Sequence, residues 1–491
     1  MMGPNSQSRR AASRSKAMTG AGNALGALAM VLALTGCGGG GGGSGSGPTV
    51  VSPSPTPTPT PTPTNSTCSL SNRQAWVKAA LDEWYLFPDL LATNVNASTY
   101  TDLQSYIDAL VAPARAESKD RFFTYVTSIE EEEAYYASGS TAGIGALLAL
   151  DGAGRLWVRE AYENAPAFAA GMDRGTEITA IGTSTSNLVT VTSMDYDQLV
   201  DALGPSDVGV ARVMQFTTAE GQTFTRTVTK DDYDIEPLSP RYGAKVLDTP
   251  SGKVGYVHLR TFIEPAQGAL RTAFAGFKAQ GVTNVIVDVR YNGGGLVSTA
   301  QVLGGLLNAG NIGKVFSTLE LRASKASQND TYYFEDESGA ISAAKVAFIG
   351  TSSSASASEL IMNAQIPYSG GNAALIGSNT YGKPVGQFAF DRDECDDRLR
   401  AVTFRTANAD GDADYFTGMA SVMDKTCRAS DDLGNQLGSV DEASIATATG
   451  WIGGNSCTAI TAGGQGTLSV GGRTPMPARP NIAQIEMPGL F

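Results

Sequence analysis

A multidomain α+β protein is predicted, with a small helical domain first, a β-rich domain second and an α/β core third. Three changes of texture along the chain predict it. Apolar residues recur at three- and four-residue spacing in 69–137, short β-like runs broken by Gly and Asp turns fill 139–232, and strands alternate with helices across 253–390. The boundaries read as 1–36 for a cleaved leader, 37–67 for a linker, 68–137 for the helical domain, 138–232 for the β domain, 233–425 for the core and 426–491 for a C-terminal segment without a clear pattern.

The helical domain rests on Arg73-Gln-Ala-Trp-Val-Lys-Ala-Ala-Leu-Asp-Glu-Trp-Tyr85 and Tyr100-Thr-Asp-Leu-Gln-Ser-Tyr-Ile-Asp-Ala-Leu110, and the acidic run Glu130 to Glu133 reads as a solvated helix face. In the β domain, runs at 144–150, 156–160, 177–181, 208–217 and 222–229 are interrupted by two short helices, at 165–172 with Pro166 in its first turn and at 194–203 before Gly204-Pro205. The core alternates strands at 254–259, 284–290, 346–350 and 374–377 with helices at 266–280, 296–308 and 358–365. In such a core, ligand groups fall on loops at strand ends.

Composition narrows the chemistry. At 491 residues, 42% hydrophobic and 17% charged, the chain can bury several cores. Its 35 Lys plus Arg against 48 Asp plus Glu, a formal charge of −13, argue against nucleic acid or anionic headgroups as partners. There is one histidine, His258, in a strand-like alternation, which disfavours metal sites and Ser-His-Asp triads; no metal and no cofactor is expected. Asn408-Ala-Asp-Gly-Asp-Ala-Asp414 lacks the residue order of a calcium loop and reads as a polar turn.

The first residues read as an address. Arg9, Arg10, Arg14 and Lys16 precede an apolar run at 24–34, too short to span a bilayer, and the run closes on Leu34-Thr-Gly-Cys37, which resembles a bacterial lipobox. That resemblance implies an exported lipoprotein of the cell envelope, lipidated on Cys37 and attached to the membrane through that anchor alone. Gly38 implies outer-membrane sorting, facing periplasm or surface. Six glycines, Ser-Gly repeats and alternating Pro and Thr up to Thr64 form a tether. Cys68, Cys395, Cys427 and Cys457 allow two disulfides with three pairings open, one bridge being expected within the C-terminal segment.

Three loops of the core carry candidate chemistry: Asp288-Val-Arg-Tyr-Asn-Gly-Gly-Gly295, Thr351-Ser-Ser-Ser-Ala-Ser-Ala-Ser-Glu359 and Gly377-Ser-Asn-Thr-Tyr-Gly-Lys383. Ser356 falls where a helix begins, so its hydroxyl is placed to attack a carbonyl while the amide of Ala357 and one of Gly293 or Gly294 bind the oxyanion. With His258 on an unrelated strand, Lys383 is the remaining base. A free lysine titrates near ~10.4, so it must be depressed by roughly three units, about 4 kcal/mol of differential environment. Gln387, four residues on, is placed to hold the amine by a hydrogen bond.

Two resemblances follow from these residues. Gly143-Ile-Gly-Ala146, Asn164-Ala-Pro-Ala167 and Gly175-Thr-Glu-Ile-Thr-Ala-Ile181 resemble a permuted PDZ domain, which implies that Gly143, Ile144, Gly145 and Ala146 bind a peptide as an added strand. Ser354-Ala-Ser-Ala-Ser-Glu359, Tyr381-Gly-Lys-Pro-Val-Gly-Gln387 and the Asp288 to Gly295 loop resemble the carboxyl-terminal processing peptidases, or tail-specific proteases, and Asp120-Arg-Phe-Phe-Thr-Tyr125 resembles that family's stretch before the PDZ domain. The resemblance spans about 70–420. It implies a ClpP/crotonase-like protease core, a serine-type endopeptidase without cofactor, Ser356 as nucleophile, Lys383 as base, Gln387 orienting it, and protein or peptide substrates bound through their C-terminal tails.

Departures concern the loops. The interval from Ser356 to Lys383 is longer than the family's, with Ile366-Pro-Tyr-Ser-Gly-Gly371 reading as the added loop; Pro384 stands where the family has glycine. Two other readings remain open to the sequence: an inactive membrane-tethered PDZ peptide-binding module, and action on cell-wall peptides.

Overall fold

The computed structural model describes residues 66–461, 474–477 and 479–491. The expected leader, Cys37 and the tether lie outside the described residues. Everything below belongs to the unit 63–491.

The core is a six-stranded sheet in the order Ala244–Thr249, Gly252–His258, Asn284–Asp288, Lys345–Gly350, Ala373–Gly377, Thr426–Arg428. The first pair is antiparallel and the rest are parallel. Its central strands are apolar throughout because both faces are covered. Val285, Val287, Phe348, Ala373 and Leu375 point into one cluster with helices Glu264–Ala279, Val297–Leu307 and Ala357–Ser369. Ile286, Ala347, Ile349, Ala374 and Ile376 point into the other, under helix Ala443–Ile452. The C-terminal segment thus closes the core, adding the edge strand Thr426–Arg428 and one covering helix. The stretch 366–371, expected as a loop, is a correction: the helix runs on to Ser369 with Pro367 inside it, and turns at Gly370.

A second, antiparallel sheet was not expected. It joins Tyr125–Thr127, Asp397–Ala407, Val315–Leu321 and Asp330–Tyr333, and Val385–Arg392 pairs with Asp397–Ala407. Helices Leu70–Trp84 and Leu103–Ala116 lie on it. The second helix is capped by Asp102, which accepts from Ser105 N at 2.9 Å, and buries Leu103, Tyr106, Ile107, Leu110, Val111 and Ala114. These pack with Val385, Leu399, Ala401 and Val402, so the helices at 70–116 share one core with the second sheet. The acidic run also needs correction. Glu132 is fully buried, ion-paired with Arg398 at 3.0 Å and with Arg400.

The β-rich part is a sheet in the order Ala146–Leu150, Leu156–Ala161, Glu177–Gly182, Ala211–Thr217, Thr223–Thr229, with helix Tyr196–Leu203 against it. A two-stranded ribbon, Ser140–Gly143 with Asp231–Asp234, forms its neck. Two buried ionic joints tie it to the core. Glu160 takes Arg260 at 2.6 Å and His258 at 3.1 Å, and Arg174 meets Asp431 at 2.7 Å and Tyr291 Oη at 2.6 Å. Of the three open cysteine pairings the structure has Cys68–Cys395 and Cys427–Cys457.

Candidate active site

The site is assembled where three strand-to-helix or strand-to-strand loops meet. After strand Lys345–Gly350, Ser354 donates its hydroxyl to Val289 O at 2.7 Å, and Ser358 donates to Asn292 O at 2.8 Å. The outer two serines of the string therefore clamp its backbone to the glycine loop. Ser356, half-buried between them, heads helix Ala357–Ser369 with φ +52° and ψ −115°, a backbone that side-chain-bearing residues rarely adopt. Such a conformation costs on the order of 1–3 kcal/mol and is held only by its surroundings. Ser356 stands at the end of the helix where backbone amides are unpaired.

The glycine loop lies directly against it. A side chain on Gly294, which has φ +129°, would stand 2.7 Å from Ser356 Cβ, 3.2 Å from its Oγ and 3.1 Å from Ala357 N, so only glycine fits. The sequence left Gly293 and Gly294 both open as oxyanion donors. In the structure Gly294 N donates to Asn292 Oδ1 at 2.9 Å, whereas Gly293 N donates to a carbonyl from outside the loop, Glu486 O, at 2.9 Å. Of the two, Gly293 is thus the amide whose donor points out of the loop. The loop is anchored from beneath: Arg290 is fully buried, reaching Asp288 at 2.8 Å and Glu442 at 2.7 Å.

Lys383 is 8% exposed and starts the strand Val385–Arg392 through Pro384, which biases it to an extended backbone. Burial pushes its amine below the ordinary lysine range, with the Glu486 and Asp120 carboxylates pulling the other way. Its Nζ stands 5.0 Å from the Phe123 ring centroid and forms no hydrogen bond among the described residues. Gln387 corrects one expectation: its Nε2 donates to Phe123 O at 2.6 Å, with no hydrogen bond to Lys383 among the described residues.

Several groups that position this site had no individual role assigned to them in the sequence, though some lie within its motifs. Glu359, fully buried, accepts Ser356 N at 3.2 Å and Lys383 N at 2.7 Å on one oxygen, and Thr380 Oγ1 at 2.5 Å and Gly382 N at 2.6 Å on the other. Burial pushes its carboxyl up against the pull of those donors. Arg121 donates to Tyr381 O at 2.7 Å and to Gly382 O, with its guanidinium 4.2 Å from the Tyr381 ring. Asp120 organises the same stretch, accepting from Tyr85 Oη at 2.8 Å and Phe123 N at 2.8 Å. The Asp120 to Tyr125 motif therefore buttresses the lysine turn. His258 lies in strand Gly252–His258, paired with Glu160.

The Gly143 to Ala146 turn lies at an occupied groove. Ala146 exchanges both backbone hydrogen bonds with Phe491, at 3.3 and 3.1 Å, and Gly143 lies under the Phe491 carbonyl carbon, 2.8 Å from where its own side chain would begin. Ile144 sits fully buried in the β-domain core and gives its carbonyl to Ala167 N at 2.8 Å, while Gly145 O accepts from Tyr162 N at 2.9 Å.

A family model, peptidase family S41, matches residues 253–416, the stretch that holds all three loops. The chloroplastic C-terminal processing peptidase of Tetradesmus obliquus is 28% identical over 267 residues, 52% of this chain and 54% of that protein. A CtpA-like serine protease of Staphylococcus epidermidis is 27% identical over 289 residues, 58% of this chain and 52% of that protein. The chain spans about half the length of the curated relatives it matches. In fold, it is similar to the crystal structure of a Bacteroides fragilis protein described as an S41 protease, with TM-score 0.61 and 20% identity, covering 77% of this chain and 97% of that one. The match to peptidase family S41 lies over the Ser356, Lys383 and glycine loops, and the chain is similar in sequence to C-terminal processing peptidases.

Proposed function

We propose that the chain is a serine-type endopeptidase that cuts exported proteins recognised through their C-terminal tails, with Ser356 as nucleophile and Lys383 as general base. The observation that carries this reading is the placement of Ser356. Its backbone is strained and the glycine loop packs against its Oγ at Gly294, while Glu359 ties the lysine turn to the same helix. In the reaction, Ser356 Oγ attacks the scissile carbonyl as its proton passes to the neutral Lys383 amine. The oxyanion is held by Gly293 N and Ala357 N, and on collapse the leaving amine takes the proton from Lys383. Water then hydrolyses the ester on Ser356, with Lys383 again accepting and returning the proton.

Attachment to the cell envelope through a lipidated Cys37 belongs to the same proposal and is supported by the Leu34-Thr-Gly-Cys37 sequence. The test is hydrolysis of unfolded protein and of tail peptides by the full chain and its Ser356→Ala variant. The variant should fold normally and lose roughly 10⁴-fold or more in kcat/KM. Undiminished cleavage by a folded Ser356→Ala protein would end the reading.

A further inference from the structure

The groove at Gly143 to Ala146 and the amide of Gly293 belong to different parts of the fold, yet one stretch of this chain engages both. It begins with Asn481, whose side chain caps the short helix Ile482–Glu486. At the end of that helix the Glu486 carbonyl receives the Gly293 amide at 2.9 Å. Its carboxylate receives Tyr136 Oη at 3.2 Å, and its charge acts on the Lys383 amine. From there the backbone runs along the outer edge of strand Ala146–Leu150. Leu148 N donates to Gly489 O at 2.8 Å, and the pairing passes antiparallel through Leu147 and Leu490 to the two bonds between Ala146 and Phe491.

Side chains fix the stretch at both ends. Phe491 is buried in the β-domain core, with Lys230 Nζ 5.5 Å from its ring centroid. Ile482, Ala483, Met487 and Leu490 fill a cluster with Tyr135, Tyr162, Tyr233 and Ile263 at the seam between the β domain and the core. Gly489 has φ +97°, and a side chain there would meet Leu148 O at 2.5 Å, so the pairing needs glycine. This is strand addition to an exposed sheet edge, the mode by which such a groove takes a peptide, and here the peptide is the chain's own.

We infer that residues 482–491 are an intramolecular occupant of the peptide path: they hold the Ser356 cleft closed and mark as its ligands peptides with an apolar residue followed by an aromatic one. The inference rests on the peptidase reading for its consequence, but not for its geometry. Two features make the stretch a plug and not a substrate. The carbonyl on Gly293 N ends a helical turn whose own hydrogen bonds hold it, Met487 N donating to Ala483 O at 2.8 Å, whereas a cleavable segment would have to lie extended. The charge of the Glu486 carboxylate also opposes the depression that burial imposes on the Lys383 amine, and so works against its neutral, basic form. A peptide arriving in trans therefore competes with a ligand already covalently tethered, at high effective concentration.

The test separates occupancy from catalysis by using the full chain with Ser356→Ala throughout. A fluorescent peptide, Asn-Ile-Ala-Gln-Ile-Glu-Met-Pro-Gly-Leu-Phe, is titrated into that protein and into forms also carrying Phe491→Asp or Gly489→Ala. Binding at least ten-fold tighter to the two substituted forms is expected. Equal binding to all three, or none to folded substituted forms, overturns the inference. Hydrogen exchange on the Ser356→Ala chain gives a reading that no further variant can spoil. The amides of Gly293, Leu148 and Phe491 should be protected as strongly as strand Ala146–Leu150, and fast exchange at Gly293 and Phe491 overturns the inference as well. With Ser356 restored, Phe491→Asp should raise kcat/KM several-fold; freed binding without any gain in rate would remove the inhibitory role. A chain that shows the occupancy and never hydrolyses peptide leaves the plug standing and fails the peptidase reading alone.

Discussion

Glu359 accepts the backbone N–H of Lys383 at 2.7 Å on the same carboxylate oxygen that takes the N–H of Ser356 at 3.2 Å. The Ser356 helix and the Lys383 turn are therefore held in register by one buried side chain. Its other oxygen takes Thr380 Oγ1 and Gly382 N, so both oxygens accept and neither has room for a donor. A glutamine in its place would turn an N–H₂ toward one of those pairs of donors. Glu359→Gln should keep the fold and lose about 10- to 100-fold in kcat/KM, because small misplacements of reacting groups have costs of that size. Peptide hydrolysis paired with a thermal melt checks it; a folded variant with parental kinetics would show that the carboxylate positions nothing.

The two halves of this arrangement differ in how visible they are in the sequence. Gly-Gly-Gly, the alternating serines and the Gly-Lys turn are local patterns at the ends of apolar strands, and the fold brings those loops together because parallel strands place such ends on one side of the sheet. Contacts made across long stretches of chain left no such mark. Arg121 grips the lysine turn from the first sheet strand's approach, and Glu132 looks like one more surface acid until Arg398 and Arg400 are beside it. The strands Val315–Leu321 and Asp397–Ala407 are hard to see in the sequence because their pairing is non-local and polar residues interrupt their apolar runs. Ile482–Glu486 has too few residues to show a period, so its conformation follows from the seam it fills.

If Lys383 is the base, it sets the pH dependence. Burial depresses its amine from the ordinary 10.5, so the neutral base grows in as pH rises through a value below that of a free lysine. The rising limb of kcat/KM against pH should accordingly lie below the free-lysine range. Removing a neighbouring negative charge favours the neutral amine further, since the Glu486 carboxylate pulls the other way. Glu486→Gln should thus move the limb to lower pH. Initial rates over roughly pH 5 to 10 measure both. A limb at the free-lysine value, or a shift upward in the variant, contradicts the assigned base.

The joint between the β domain and the core makes stability sensitive to acid at Glu160. Burial pushes its carboxyl up, but Arg260 and His258 outweigh that and lower it from the ordinary 4.5 to about 2. A carboxyl depressed on folding stabilises fully above its unfolded value, and that stabilisation is lost as pH falls through the folded one. The window is therefore from about 4.5 down to about 2. Glu160→Gln removes the charge but leaves Arg260, also buried, with Glu163 at 2.9 Å as its remaining carboxylate. At neutral pH the variant should be roughly 3–5 kcal/mol less stable, the usual cost of breaking a buried pair from one side. Urea unfolding at neutral pH and again at mildly acidic pH values measures both quantities. The parent should lose stability more steeply than the variant as the pH falls toward the acid end of that window. Parallel losses would mean that the pair is not protonation-linked to folding, and that the acid response comes from the other carboxylates.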